Sequence, residues 1–101
     1  MNTASGAYAL YFTAAGSYNT ASGETSMRNN TDGDFNTASG YAALYTNSSG
    51  NYNIAIGGAS LFANTTGNMN SANGYQTLRF NNTGNENSTQ GYPVTVLSHL
   101  K

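Results

Sequence analysis

Asparagine recurs every seventeen residues along this chain, and a glycine follows each of these asparagines four residues later. The period runs from Asn2 to Gly91 without an insertion or a deletion. The first three copies read Asn-Thr-Ala-Ser-Gly, and the later copies are looser. A strict short period is typical of stacked repeats in which each unit contacts only its neighbours. The spacing therefore predicts one stacked domain over residues 2–91, and it favours a scaffold over a catalytic protein.

Fixed columns of glycine and of apolar residues divide each repeat. Counted from its asparagine, glycine occupies positions 5 and 15, and eleven of the twelve glycines lie in these two columns. Because glycine tolerates positive φ, we predict a chain corner at each column. The columns are Asn2, Asn19, Asn36, Asn53 and Asn70 at position 1; Gly6, Gly23, Gly40, Gly57 and Gly74 at position 5; and Leu10, Met27, Leu44, Leu61 and Leu78 at position 9.

The stretches between the corners are too short for helices. We predict one strand of about six residues from position 17 to position 5, and a shorter strand around positions 7 to 11. Clusters of Asn, Ser and Thr before the second glycine are typical turn residues. Helical repeats need periods of about 33 residues or more. The predicted fold is therefore all-β, a parallel β-solenoid of about five to six coils.

Alternation along the longer strand separates small side chains from larger ones. In the fourth repeat, Asn53 and Ala55 share one face, and Tyr52, Ile54 and Ile56 share the other. We favour an internal small face, which leaves the isoleucines outside and in need of a partner surface. The reverse arrangement would bury Thr and Ser hydroxyls instead. The candidate interface residues are Tyr18, Phe35, Tyr52, Ile54 and Ile56.

The asparagine column is compatible with two structures. Coils stacked at about 4.8 Å would let each side-chain amide donate to the next, as in the asparagine ladders of cross-β stacks. Asparagine is also a common turn residue that forms no ladder.

The predicted core is thin in either case, because each coil buries about one leucine, one aromatic residue or methionine, and one or two alanines. We therefore expect lateral self-association into a closed homo-oligomer.

Composition excludes several classes of function. Only 7% of the residues are charged, and the net charge is −1. The three Lys and Arg residues are scattered along the chain and cannot follow a phosphate backbone, so nucleic acid is not an expected partner. The chain has no cysteine, hence no disulfide and no thiolate metal site. We expect no membrane insertion by this segment and find no signal peptide before the first repeat. The phasing of apolar residues with the repeat argues against disorder.

The residues predict neither an enzyme nor a cofactor or metal site. His99 is the single histidine, so a catalytic triad or a histidine metal site lacks its parts. Asp32 and Asp34 are interpreted as turn residues, because no second acidic cluster accompanies them to complete a calcium site. After Gly91 the pattern ends. Residues 92–101 are predicted to be either an edge strand that caps the stack or a truncated tail.

The segment Asn53-Ile54-Ala55-Ile56-Gly57-Gly58-Ala59-Ser60 resembles the head repeat of YadA-like trimeric autotransporter adhesins, which carry a small-residue/Val-Ala-Ile-Gly motif. The array over residues 2 to 91 is also similar to tandem arrays in bacterial surface and phage-fibre proteins. The resemblance implies a left-handed β-roll, a homotrimer of parallel chains, and an extracellular location on a cell surface or a virion fibre. The period here is longer than in the adhesin head, and the first three repeats replace the apolar pair with Thr and Ser.

Two functions remain open at this point. The first is a structural and adhesive fibre segment, which associates with itself and contacts a host-surface protein or glycan through many weak contacts. The second is ice binding by a flat face, for which two hydroxyl columns would have to point outward. One column consists of Thr3, Thr20 and Thr37, and the other consists of Ser5, Ser22 and Ser39. Ile54, Ile56 and Asn73 interrupt the columns in the later repeats.

Overall fold

A computed structural model of the protein describes residues 1–91 as one stack of coils joined by a six-stranded parallel sheet. Every strand pairs with the next along the chain, and paired residues are always seventeen apart. This confirms an all-β, parallel β-solenoid of about five turns. The strands are β1 (Thr3–Ser5), β2 (Thr20–Ser22), β3 (Thr37–Ser39), β4 (Ile54–Ile56), β5 (Ser71–Asn73) and β6 (Ser88–Gln90).

Each coil in residues 1–91 contains a single strand, so the prediction of a second strand around positions 7 to 11 is wrong. That stretch is a run of turns in which positions 7 and 9 have a left-handed backbone, as in Ala42 (φ 57°) and Leu44 (φ 52°). Their N–H groups point to opposite neighbours. The Ala42 N–H donates to the carbonyl oxygen of Glu24 in the preceding coil at 3.0 Å. The Leu44 N–H donates to that of Ser60 in the following coil at 2.9 Å, so the stretch is bonded between coils without strand geometry.

The remaining strand is three residues long instead of six, because left-handed residues bound it on both sides. Tyr52, before β4, has a φ of 59°, and Gly40, after β3, has a φ of 125° that only glycine adopts easily. The corner predicted at position 5 is therefore confirmed. The glycines at position 15 do not have positive φ. A methyl group on Gly50 would lie 2.4 Å from the carbonyl oxygen of Gly67 and 2.4 Å from Asn47 Oδ1, so close approach of the coils explains this second column.

The core is narrow and consists of two columns of apolar side chains. The leucine and methionine side chains at position 9 pack with the strand alanines in one cluster. Leu10, in the first coil, is 9% exposed, and its counterparts in the later coils are completely buried. This arrangement confirms that the small face of the strand is internal. The strand alanines in the core are Ala21, Ala38, Ala55 and Ala72.

The position-1 asparagines form a buried hydrogen-bonded ladder, which settles the choice between the two predicted structures. The Asn36 backbone N–H and Nδ2 donate to Asn19 Oδ1 at 2.9 and 3.1 Å. Asn36 Nδ2 also donates to the carbonyl oxygen of Gly50 at 2.8 Å, across the coil. The same backbone-to-Oδ1 bond recurs at Asn53, Asn70 and Asn87. The ladder therefore ties each strand both to the next coil and to the second corner of its own coil.

The polar turn clusters contain a second buried ladder that the sequence did not indicate. Asn47 Nδ2 donates to Asn30 Oδ1 at 2.7 Å, and Asn64 Nδ2 donates to Asn47 Oδ1 at 2.9 Å. Asn81 continues the series to Asn64 at 3.2 Å. These clusters are turns, as predicted, but one asparagine of each points into the coil.

The predicted cap or tail at residues 92–101, with His99, lies outside the described residues.

Candidate functional site

The outward face of the sheet, defined here as positions 17, 2 and 4 of each repeat, carries the predicted interface residues. In β2, β3 and β4 the central alanine is buried and both flanking side chains are exposed. Ile54 and Ile56 are each 44% exposed, and Tyr52 is 57% exposed. The structure therefore leaves these three side chains uncovered in the single chain.

An aromatic ladder runs along one side of the outward face. The rings of Tyr18 and Phe35 are stacked with centroids 4.9 Å apart and planes 8° apart. The rings of Phe35 and Tyr52 continue the stack at 5.0 Å and 1°. All three side chains are exposed, and exposed Met69 follows in the next coil. Their left-handed backbone, with φ of 58° to 59°, repeats in every coil and gives the rings the same direction. Each ring thus covers its neighbour and presents its edge to solvent.

Hydroxyl groups occupy the rest of the outward face in the first three coils. Both flanking residues of β1, β2 and β3 are exposed threonine and serine. In β4 the same positions carry Ile54 and Ile56, which pair in the sheet with Thr37 and Ser39 on one side and with Ser71 and Asn73 on the other. The face is therefore polar, except for the aromatic ladder and one apolar level.

A surface ladder of polar side chains supports the chain just before the outward face. The Ser17 N–H donates to Asp34 Oδ1 at 2.7 Å, and the Asp34 N–H donates to Asn51 Oδ1 at 2.7 Å. Asn68 and Asn85 continue the series. Asp34 is therefore one rung of a column of hydrogen bonds between coils. This column fixes the residue that precedes each outward-facing ring.

A mixed column of arginines and aromatic residues occupies position 10, outside the sheet, and was missed from the sequence. The Arg28 guanidinium lies 5.6 Å from the Tyr8 ring centroid and 5.2 Å from that of Phe12, in the preceding coil. Arg28 Nη1 donates to the Tyr45 hydroxyl in the following coil at 2.8 Å. Aligning the repeats shows the column, which reads Tyr11, Arg28, Tyr45, Phe62 and Arg79. Its contacts are internal to the chain, so its role is to clamp adjacent coils.

Two kinds of grouping were sought among the described residues, a cluster of metal ligands and a helix that could span a membrane. Within residues 1–91 no three His, Cys, Asp or Glu residues lie together as a metal site would require. In the same range, no helix has the length and hydrophobicity needed to cross a bilayer. What the arrangement can provide is a regular contact surface that carries no charged side chain from Thr3 to Asn73.

Comparisons of the chain with protein-family models, with curated proteins and with solved structures find no significant match. The resemblance to adhesin heads and fibre arrays therefore rests on the residues of the repeat alone.

Proposed function

We propose that this chain is a structural and adhesive segment of an extracellular or phage fibre, which acts by associating laterally with copies of itself. The observation that carries the proposal is the exposed aromatic ladder with the neighbouring isoleucines, on a face that carries no charged side chain from Thr3 to Asn73. Left-handed winding and a trimer of parallel chains are part of the proposal, as the resemblance implies. In this arrangement weak surface contacts with a host protein or glycan are multiplied by the number of copies.

The physical support for self-association is the exposure of large apolar side chains next to a thin core. Tyr18, Phe35 and Tyr52 are 61%, 46% and 57% exposed, and they lie in one continuous stack. Scattered exposed apolar residues are ordinary, but contiguous ones mark interaction surfaces. A second face of the same composition would cover them, and between Thr3 and Asn73 it would bring no like charges together.

Sedimentation velocity over a range of protein concentrations tests the proposal. We expect species larger than the monomer, and we expect the change Ile54→Thr with Ile56→Ser, which restores the pattern of the first three repeats, to weaken their formation. The matched control is Tyr41→Ser, which removes an aromatic ring that is 62% exposed but lies beyond the sheet. A folded chain that stays monomeric at every concentration would refute lateral association.

Ice binding is the second candidate function, and the outward direction of the hydroxyls favours it. Thr3, Thr20 and Thr37 form one exposed column on the sheet, and the serines two residues later form a parallel column. Thermal hysteresis measured on the monomer tests this function. If it is correct, Thr20→Tyr, which puts a bulky ring on the flat face, abolishes the activity. Absence of hysteresis in the unmodified protein excludes it.

A further inference from the structure

We propose that the position-10 column binds an acidic glycan, in which a sugar carboxylate bonds the Arg28 guanidinium and the sugar ring contacts the exposed tyrosines beside it. Arg79 offers a second guanidinium to the same glycan. The inference rests on the adhesive part of the function proposed above, since it gives the chemical class of the glycan. It does not depend on lateral association.

Both arginines of the chain occupy this one column. Arg28 and Arg79 stand at position 10 of the second and fifth repeats, and within residues 1–91 they are the only Lys or Arg side chains. At a coil spacing of about 4.8 Å, three coils separate them by about 14 Å along the stack. The positive side-chain charge of the described coils is therefore confined to a single column.

Aromatic rings surround the Arg28 guanidinium and leave one terminal nitrogen for a ligand. Its Cζ lies 5.6 Å from the ring centroid of Tyr8, and 5.9 Å from those of Tyr11 and Tyr45. Nε is buried without an acceptor, and Nη1 donates to the Tyr45 hydroxyl. Nη2 has no hydrogen-bond partner within residues 1–91 and is not among the buried atoms. An anion that accepts from Nη2 would offset the cost of this half-buried cation.

Arg79 has the same kind of surroundings in the fifth coil. Its Cζ lies 5.7 Å from the ring centroid of Phe62 and 5.1 Å from that of Phe80. Its Nε is also buried without an acceptor. Neither arginine forms an ion pair with a carboxylate of the described coils. Both guanidinium groups therefore keep terminal donors for an anion from outside the chain.

The side chains around Arg28 favour a carboxylate that is carried by a sugar. A guanidinium presents its donors as a planar fork, which matches the two oxygens of a carboxylate. Tyr8 and Tyr11 are 55% and 57% exposed, and the negative face of such a ring attracts the C–H groups of a pyranose. Their hydroxyls can donate to sugar hydroxyls and accept from them. A nucleic acid does not fit, because two cations cannot follow its phosphates.

The distance between the two arginines favours an oligosaccharide over a single sugar. A linear glycan that reaches from Arg28 to Arg79 would pass Tyr45 and Phe62, whose rings are stacked with centroids 5.0 Å apart between them. Binding at the second arginine is then intramolecular, so two weak contacts combine into a stronger one.

Titration with galacturonate oligomers tests the inference, and their methyl esters are the matched uncharged ligands. Calorimetry measures the affinity, and heteronuclear NMR follows the Nε–H signals of the arginines. Because the chain contains two arginines, each signal reports one site. We expect the acid oligomer to shift both signals and to bind about tenfold or more tightly than its ester.

Four single substitutions separate the column from other charges and rings. Arg28→Gln should weaken binding of the acid oligomer by about tenfold, whereas Lys101→Gln, which removes the same charge from outside the described residues, should leave the affinity unchanged. Tyr11→Ser should also weaken binding. Tyr18→Ser, which removes a ring of similar exposure from the outward face of the sheet, should not.

Several results would overturn the inference. They are equal binding of the ester, binding that leaves both Nε–H signals in place, equal binding of dextran sulfate, and absence of binding at low salt. Far-ultraviolet circular dichroism checks that each variant is folded, and Arg79→Gln repeats the test at the second arginine if Arg28→Gln is not. Sedimentation judges lateral association separately, so a monomer that binds the acid oligomer supports the inference even though self-association fails.

Discussion

Removal of one rung from the buried asparagine ladder should cost far more stability than its side-chain size suggests. Asn53 is completely buried and takes part in four ladder bonds. The change Asn53→Ala keeps the bond from its own backbone N–H to Asn36 Oδ1. It removes the bond from Asn53 Nδ2 to the Gly67 carbonyl oxygen, and both bonds that Asn70 donates to Asn53 Oδ1.

The three losses are unequal. The Gly67 carbonyl still accepts from Asn64 Nδ2 at 3.1 Å, and Asn70 Nδ2 still donates to the Gly84 carbonyl at 2.7 Å. Only the Asn70 backbone N–H is left buried without its acceptor. An unsatisfied buried group costs about 1–3 kcal/mol, and each of the other two bonds contributes about 1 kcal/mol. We therefore expect Asn53→Ala to lower the free energy of unfolding by about 3–5 kcal/mol.

Urea denaturation followed by far-ultraviolet circular dichroism measures this change, with Asn2→Ala as the matched control. Asn2 makes the equivalent bonds to Asn19 and to Gly16, but it is exposed in the first coil, where water can replace them. Its loss should cost about 1 kcal/mol or less. Equal effects of the two substitutions, or a loss below 1 kcal/mol at Asn53, would show that the internal ladder contributes little and would refute the reasoning.

Three further substitutions, two of them with a matched control, test the backbone and the contacts of Arg28 by the same denaturation assay. Gly50→Ala, which places a methyl group 2.4 Å from a carbonyl oxygen of the next coil, should cost about 3 kcal/mol. In the control Gly58→Ala, the methyl group would lie 3.3 Å from the Tyr75 side chain and 3.9 Å from the Tyr41 carbonyl oxygen, so stability should change by less than about 1 kcal/mol. Ala59 has a φ of 58°, which glycine adopts more easily, so Ala59→Gly should raise the free energy of unfolding by about 0.5–1 kcal/mol. Ala63 does not have a positive φ, so the control Ala63→Gly should lower the free energy of unfolding by about the same amount. Effects of the same sign would contradict this reasoning. Arg28→Gln should cost about 1 kcal/mol through the lost contacts with aromatic rings, and a neutral result would mean that the clamp does not hold the first coils.

The period and the direction of the strand side chains could be predicted from sequence, because they depend only on spacing and alternation. Identical residues seventeen apart must stack if the chain coils once per repeat, and small residues must share the crowded side. The backbone between Gly40 and Gly50 could not be predicted. Alanine and leucine do not signal a left-handed conformation, and here neighbouring coils impose it on Ala42 and Leu44.

The interior ladder of Asn30, Asn47, Asn64 and Asn81 was missed for a related reason. In each turn cluster an asparagine stands next to other Asn, Ser or Thr residues, and all of them are good turn formers. Position within the repeat distinguishes the inward asparagine, whereas chemical type does not. The position-10 column could have been found by aligning the repeats, but its arginines and aromatic residues differ from coil to coil.

Within residues 1–91, fifteen residues other than glycine have a left-handed backbone, three in each of the five complete coils. At about 1–2 kcal/mol each, one coil carries about 3–6 kcal/mol of conformational cost that only its neighbours offset. A single winding is thus unstable alone, and growth or shortening of such an array by evolution or by design must proceed in whole units of seventeen residues. An insertion of any other length would move leucines and tyrosines out of the places where the adjacent windings hold them.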